Sequence, residues 1–527
     1  MIRDKNTASS GATHGCQSVL RTDADILFRI DEAQRVFSRT TSRAERSSIG
    51  QFLTPAPIAR FMASLFEEKV TVARILDPGA GTGSLFAALT EQLISRPQPP
   101  ESIEIVAYET DQNIAPHLGT TMELCRQLCA EAGIAFRETI RREDFISAAA
   151  AQLPDGLFGM NHDSFTHVIL NPPYKKINGE TRTHSILRSA GIETSNLYAA
   201  FVWLGACLTC PGGEIVAITP RSFCNGPYFR RFRKALLGLV DLRHIHTFES
   251  RKEAFADDSV LQENVIFHGI RSEHRQGTVK ISVSRGRDFS AIRVREVPFQ
   301  DVVVPDDPDT FIHLMETDDG RQVMEWISQL PATLPELDLD VSTGRVVDFR
   351  AREFLRKDPE PGTVPLIYPC HFEDGFVRWP LQDAKKPNAI VSSDRTESLL
   401  VPTGYYVLTR RFTAKEERRR IVGVIYDPTR MDARRVGFEN HLNYFHSKGR
   451  GLPPDLARGL AVFLNSSLLD RYFRQFSGHT QVNATDLRKM RYPSREQMLR
   501  LGQEVKTSLP DQQRIDSVLE KVCSRDG

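Results

Sequence analysis

The tetrapeptide Asn171-Pro172-Pro173-Tyr174 follows the apolar run His167–Leu170, which reads as a strand. Two prolines stop a strand ladder and fix φ, and the residue before each is pushed to extended geometry. The result is a rigid corner at the carboxyl end of a strand. It offers an amide oxygen and proline-linked carbonyls, all acceptors, beside the aromatic face of Tyr174. Such a corner suits a planar aromatic amine. Two hydrogen bonds accepted from its NH₂ draw the nitrogen lone pair out of conjugation and aim it at an electrophile, while the ring stacks on Tyr174. The proton leaves after attack, so no charged base is needed first.

A second constellation is Asp77-Pro78-Gly79-Ala80-Gly81-Thr82-Gly83, between a short apolar strand and a helix. Its glycines permit close backbone approach and unusual φ values. The spacing is not the GxGxxG of a dinucleotide fingerprint, and no Lys-Ser/Thr pair follows to make a phosphate-cradling loop. A tight turn with an acid at the strand end suits a cationic ligand with an amino group better than a pyrophosphate. Glu109 ends the next strand, where ribose hydroxyls are read in such sheets. Taken alone, this loop indicates only a nucleotide-like ligand.

The elements that position these residues alternate. Thr54 reads as an N-cap and Pro55 as a first helical residue. Ile58, Phe61, Met62, Leu65 and Phe66 then mark one helix face. Val72–Leu76, Ile103–Tyr108, His167–Leu170 and Glu214–Thr219 read as strands. Ser84–Leu93, Asn113–Ala132, Asn196–Cys210 and Tyr228–Leu237 read as the helices between them. The alternation predicts a parallel sheet covered on both faces. Leu242–Phe248 and Val260–Phe267 have no helix between them, which predicts a β-hairpin at one edge.

At ~150 residues per domain, 527 residues predict two to three domains. The hydrophobic share of 40% and charged share of 26% are those of a globular protein, not of a disordered chain, a collagen or a membrane protein. With 68 basic against 67 acidic residues the net charge is +1, which excludes indiscriminate nucleic-acid binding and makes any nucleic-acid surface local. Asp301–Asp340 holds eleven Asp and Glu against Arg321 alone, a net of −10. Val401–Arg500 holds 19 Lys and Arg against 9 Asp and Glu, a net of +10. Eight cysteines are too few for a disulfide scaffold. The Cys207/Cys210 pair sits in an apolar helix and reads as buried thiols. Residues 1 to about 20 read as loosely attached. The polar N-terminus lacks a secretion signal, and the longest apolar stretch, Leu197–Cys210, is 14 residues, short of the ~18 that mark a membrane span. A cytoplasmic protein without a membrane partner is expected.

Together the motifs resemble those of the S-adenosylmethionine-dependent N6-adenine DNA methyltransferases. Gln51–Pro57 resembles the family's motif X, Asp77–Leu85 motif I, and Asn171–Tyr174 motif IV. A recognition domain after these is the γ arrangement of bacterial restriction–modification enzymes. Gly212–Phe223 resembles the strand after the motif IV helix, and Val260–Phe267 resembles motif VIII. Gly437–Tyr444 and Leu464–Asp486 resemble stretches of large members of the group.

The resemblance implies an α/β fold, a Rossmann-like doubly wound methyltransferase sheet with a C-terminal α+β DNA-recognition domain. It divides the chain into an N-terminal extension (1–44), a catalytic domain (45–300), an acidic connector (301–340) and a target-recognition domain (341–527). It also implies roles. Thr54 borders the methionine end of S-adenosyl-L-methionine. Asp77, Gly79 and Gly81 line the amino-acid moiety, and Glu109 the ribose. Asp144 reads the cofactor's adenine amine, and Phe145 stacks on that ring. Asn171 and Pro172, stiffened by Pro173, bind the target amine. Tyr174 and Phe267 sandwich the target base. No metal is implied.

The implied reaction acts on double-stranded DNA, and a companion restriction endonuclease is the expected partner. The adenine is flipped out at a cost of a few kcal/mol, and stacking returns ~1–3 kcal/mol. Holding both reactants in line is the largest expected contribution. Arg411, Lys415, Arg418, Arg419 and Arg420 read either as phosphate contacts or, with Glu416 and Glu417, as a solvated helix face. Asn440–His446 and Gly478–Asn483 carry amides and histidines of the kind that read base edges. The alternatives are methylation of an RNA adenine or a protein glutamine amide, and a fused nuclease–methyltransferase. Against the last, no PD-(D/E)xK pattern is found.

Overall fold

The structure is a computed structural model that describes residues 26–40, 53–153, 164–178, 181–189, 191–194, 196–249, 263–274, 277–305, 307–315, 319–413, 417–476 and 481–523. The expectations placed on residues 1–25, 41–44, Gln51, Phe52, Val260, Leu261, Gln262, Lys415, Glu416 and Gly478–Thr480 lie outside the described residues.

The first half alternates as the hydrophobic pattern requires. In order come α1 (Ile26–Thr40), α2 (Ala56–Ser64), β1 (Val72–Pro78), α3 (Ser84–Ile94), β2 (Ser102–Tyr108), α4 (Ala115–Glu131), β3 (Ala135–Arg141), α5 (Phe145–Gln152) and β4 (Phe165–Leu170). Then follow α6 (Arg182–Ser189), α7 (Leu197–Leu208), β5 (Thr209–Pro220), α8 (Arg230–Leu239), β6 (Val240–Phe248), β7 (Asn264–Arg271), β8 (Thr278–Arg285) and β9 (Asp288–Pro298). They form one nine-stranded sheet in the order β3-β2-β1-β4-β5-β7-β6-β8-β9.

The β3-to-β5 portion is parallel, as helical crossovers demand. β7 then runs antiparallel to both β5 and β6, so the sheet is mixed. The expected β6/β7 hairpin is an antiparallel pair, but it does not lie at the edge. β8 and β9 continue the sheet beyond it. Their signal is the alternation Val279, Ile281, Val283 with polar residues between, which marks a half-buried strand.

Apolar side chains fill both faces. One core joins α1–α4 to the sheet through residues such as Ile30, Met62 and Phe86. The other joins α5, α7 and α8 through Phe145, Phe201 and Phe232. The helix α1, within the stretch read as an extension, packs Ile26, Leu27 and Ile30 into the first core. Its Asp31 accepts a hydrogen bond from Ala56 N–H at 3.0 Å. That bond does the work expected of Thr54, because Pro55 is the N-cap residue of α2 and lends no side chain.

The acidic stretch is anchored at both ends. Ile312, Leu314 and Met315 belong to the core of the first half. Ile327, at the end of α9 (Gly320–Ser328), begins a separate core that also takes Leu330, Leu334, Leu337 and Leu339.

The second half is α+β. A six-stranded sheet has the order β10-β20-β17-β18-β14-β13 and a five-stranded sheet the order β11-β15-β12-β19-β16. The strands are β10 (Asp340–Thr343), β11 (Leu355–Arg356), β12 (Thr363–Ile367), β13 (Phe372–Glu373), β14 (Phe376–Val377), β15 (Ala389–Val391), β16 (Leu400–Pro402), β17 (Tyr406–Arg410), β18 (Gly423–Tyr426), β19 (Arg435–Phe438) and β20 (Leu442–His446). Five helices follow: α10 (Pro454–Leu464), α11 (Ser467–Phe476), α12 (Ala484–Lys489), α13 (Arg495–Gly502) and α14 (Gln512–Cys523).

The arginine cluster is not a helix face. Its described residues form no helix. Arg420 is 1% exposed and donates through Nε to Thr413 Oγ1 at 3.1 Å, and Arg419 reaches the Asn465 carbonyl. Burial pushes the Arg420 guanidinium down to about 10. Arg418 is exposed. Arg411 lies over the Phe412 ring, which is 42% exposed and meets the His441 ring at a tilt, with centroids 4.9 Å apart. Asn443 is buried, its amide donating to the Val482 carbonyl at 2.7 Å. Among the described residues, no helix is long and apolar enough to cross a membrane.

Candidate active site

Four neighbouring parallel strands end on one edge of the sheet. β3 leads to Asp144, β2 to Glu109, β1 to the glycine loop and β4 to Asn171. Chain order reverses between β1 and β4, and such a switch point opens a crevice at the carboxyl ends of the strands. A cavity of about 230 Å³ lies there. Eight of the expected residues line it: Thr54, Gly79, Gly81, Glu109, Asp144, Phe145, Asn171 and Pro173.

The glycine loop hangs from the end of β2. The N–H groups of Gly79 and Ala80 both donate to the Tyr108 carbonyl, at 2.9 and 2.8 Å. Gly81 N–H donates to Glu109 Oε2 at 2.9 Å, and Asp111 N–H to Glu109 Oε1 at 2.7 Å. Glu109 therefore shapes the loop as well as lining the cavity. Burial raises its carboxyl above the usual range, against the lowering effect of those two N–H groups. Gly83, with φ of +88°, caps α3, and a Cβ there would lie 2.4 Å from the Phe86 ring.

Asp77 does not reach the cavity wall. It is fully buried at the end of β1, and burial pushes its carboxyl well up, against the lowering effect of the Phe86 N–H. Asp144 lines the cavity while serving as N-cap of α5. Its Oδ2 accepts from Ser147 N–H at 2.8 Å and Ser147 Oγ at 2.6 Å. Phe145 is 2% exposed, with its ring centroid 5.1 Å from those of both Tyr108 and Phe201.

On the other side, Asn171 Nδ2 donates to Thr54 Oγ1 at 3.0 Å. Pro172 is buried and Pro173 faces the cavity. Tyr174 is half-buried, donates to the Ile218 carbonyl at 3.3 Å and meets Tyr198 edge-on at 6.2 Å. Burial pushes its hydroxyl up, so it stays a neutral phenol.

Phe267 is not brought to the corner. It is 1% exposed on β7, between Ala217 of β5 and Ile245 of β6, with the Phe223 ring 5.9 Å away. Its ring is buried in the core that also holds Phe223, which leaves no open face for a base.

Several lining residues escaped the motif reading. Tyr108, Leu197 and Phe201 give the cavity apolar walls, with Leu53 of the Gln51–Pro57 segment beside them. Tyr108 directly precedes Glu109, so proximity to that residue was its signal, whereas Leu197 and Phe201 lie in the apolar α7 and read as core. Gln34 had none. From α1 its Nε2 donates to Thr82 Oγ1 at 2.7 Å and Ser84 Oγ at 2.9 Å.

Carboxylate acceptors at Glu109 and Asp144, hydroxyls at Thr54 and Thr82, and rings at Tyr108, Phe145 and Phe201 make a lining suited to an adenosine carrying a polar chain. The asparagine corner opens on the same space.

Comparison with known proteins identifies relatives of the whole chain. Residues 108–255 match the family model of the Eco57I restriction-modification methylase. The chain is 43% identical over 490 residues to the type II methyltransferase M.PstI of Providencia stuartii, covering 93% of this chain and 96% of that one. It is 46% identical over 490 residues to the type II methyltransferase M.BsuBI of Bacillus subtilis, covering 91% and 95%. The structure of the type IIL restriction-modification enzyme MmeI in complex with DNA shares the fold, with a TM-score of 0.55 at 13% identity over 95% of this chain and 75% of that one.

Proposed function

The chain belongs to the type II DNA methyltransferases of restriction–modification systems, alongside M.PstI and M.BsuBI, and from that premise we propose that it methylates adenine N6 within one duplex DNA sequence. The order Thr54, glycine loop, asparagine corner and C-terminal half makes it a γ-type enzyme. The supporting observation is that Asn171 and the glycine loop, at the carboxyl ends of adjacent strands, line one cavity.

S-adenosylmethionine, when bound, supplies an electrophilic methyl on a sulfonium. Glu109 would hold the ribose hydroxyls, and Asp144 the adenine amine through the oxygen not capping α5. Phe145 and Phe201 would flank the adenine ring. Gly79 and Gly81 would let the amino-acid portion lie against the backbone, and its ammonium would favour the ionised form of Asp77 behind the loop, whose proton is then lost to solvent.

Asn171 performs the positioning step. Its Nδ2 is committed to Thr54, which turns Oδ1 toward the incoming amine. Oδ1 and the Pro172 carbonyl would then each accept a hydrogen bond from the N6 amine, localise the nitrogen lone pair and direct it at the methyl. Tyr174 packs on the extruded base, which costs a few kcal/mol to unstack. The second half, with its net +10 segment, would read the sequence and contact phosphates. A companion restriction endonuclease recognising the same sequence is the expected partner, and the bacterial cytoplasm the place of action.

Single-molecule sequencing of DNA from cells making the protein tests this reading. N6-methyladenine confined to one sequence context is the expected result. Unmodified DNA, or methylation of another base, would overturn it.

A further inference from the structure

One buried guanidinium holds the junction between the two halves. Arg221 follows Pro220 at the carboxyl end of β5 and is 2% exposed. Its Nη1 pairs with Glu263 Oε2 at 3.1 Å, both side chains being buried. Its N–H donates to the Glu263 carbonyl at 2.6 Å. Glu263 immediately precedes β7, whose first residue pairs with Pro220. Arg221 Nη2 crosses to the second half and donates to the carbonyls of Arg474 at 2.8 Å and Gln475 at 3.2 Å.

Those carbonyls belong to the last turn of α11, which lacks intrahelical donors and carries the negative end of the helix dipole. Asp470, on the same helix, accepts from Arg474 Nε at 2.7 Å and from Arg420 N–H at 2.6 Å. Arg474 Nη2 donates to the Glu417 carbonyl at 2.8 Å. The +10 segment is thus tied to the same joint.

A buried ion pair adds little stability over a well-packed apolar contact. Its value is geometric, and only the planar fork of arginine reaches a carboxylate and two helix-end carbonyls together. Three residues before Arg221, the Ile218 carbonyl takes the Tyr174 hydroxyl. A continuous path of bonds therefore runs from the end of α11, through Arg221 and the end of β5, to the Asn171–Tyr174 corner.

We propose that Arg221 is a positioning residue that converts correct seating of the second half on DNA into correct placement of the asparagine corner at the target base. The proposal rests on the reading of that half as the sequence reader. It assigns Arg221 a role in discrimination between sites without contact with DNA.

The test uses the full chain, unmethylated plasmid DNA and S-adenosylmethionine, with methylation mapped by single-molecule sequencing and active sites counted by cofactor binding. Arg221→Lys keeps the charge but loses the fork. We expect kcat per active site at the preferred sequence to fall about tenfold, with cofactor affinity unchanged. The ratio of rates at preferred and one-base-different sequences should also shrink about tenfold. Glu263→Gln should move both quantities the same way and less. The double variant should be no worse than Arg221→Lys, as expected for residues acting as a unit.

A merely structural role would lower the melting temperature and the number of active sites while leaving kcat per site and the ratio intact, and that outcome overturns the proposal. If the wild-type chain methylates plasmid DNA without sequence preference, the sequence-reading role of the second half falls and the joint with it. If the wild type discriminates and Arg221→Lys discriminates equally, only the joint falls.

Discussion

Asn171 Nδ2 and Thr54 Oγ1 stand 3.0 Å apart, joining the loop after β4 to the segment before α2 from 117 positions away in the chain. Two motifs that lie far apart in sequence share one hydrogen bond at the cavity. Asn171→Ala should lower methyl transfer by 10²–10³-fold or more, roughly the cost of removing one preorganised catalytic hydrogen bond. Cofactor affinity should stay within a few-fold. Thr54→Ala should leave the acceptor in place but unaimed, with a loss of about tenfold in kcat. Single-turnover kinetics with tritiated cofactor separates the two, and equal losses would contradict the orienting role of Thr54.

Gly83 combines a φ of +88° with a Cβ position 2.4 Å from the Phe86 ring and 2.9 Å from Thr121 Cγ2. Gly212 has a φ of +79° with nothing within 4 Å. Gly212→Ala should therefore cost only the left-handed penalty, ~1–2 kcal/mol. Gly83→Ala should cost more and weaken cofactor binding, because α3 must move. Chemical denaturation of both variants gives the comparison, and equal destabilisation would show that the Phe86 and Thr121 contacts relax freely.

Glu214 carries a pH dependence of stability. Burial works to raise its carboxyl. The imidazole of His268, 2.8 Å away, and the Glu67 N–H outweigh this and hold it below the usual glutamate range. A depressed folded-state value means that the contribution is complete above the unfolded value of ~4.3 and is lost as pH falls through the folded one. Glu214→Gln should be less stable than wild type at pH 7 by about 1–3 kcal/mol, and the gap should narrow progressively as pH falls below ~4.3. Melting curves across that range decide it, and a gap independent of pH would remove the assignment.

The helix α1 bears on the cofactor side. Gln34 bonds Thr82 and Ser84, and Asp31 bonds Ala56 N–H. Gln34→Ala should lower cofactor affinity about thirtyfold through loss of two hydrogen bonds of ~1 kcal/mol each. Equilibrium binding of the cofactor measures this, and wild-type affinity would exclude the role.

The catalytic half was largely legible because its strands and helices carry distinct hydrophobic periods and end in conspicuous glycine and proline turns. Asp77–Gly83 and Asn171–Tyr174 declare themselves by composition. What stayed hidden depends on partners remote in sequence. Thr54 looks like a helix cap until Asn171 is placed beside it. Phe267 looks like a stacking ring until the core around Phe223 closes over it. The arginines at 418–420 look like a solvated face, yet Arg420 turns inward toward Thr413. β8 was readable from its alternation, and β9 completes the edge by pairing along it.

The strap that α1 lays over the glycine loop means that motif content and competence can part company. A chain beginning at a downstream start, after residue 40, would keep each signature by which such enzymes are recognised. It would lose the clasp on Thr82, Ser84 and Ala56. Genome surveys that score signatures alone would count that shortened product as whole, while a host relying on it to shield its DNA would be left exposed.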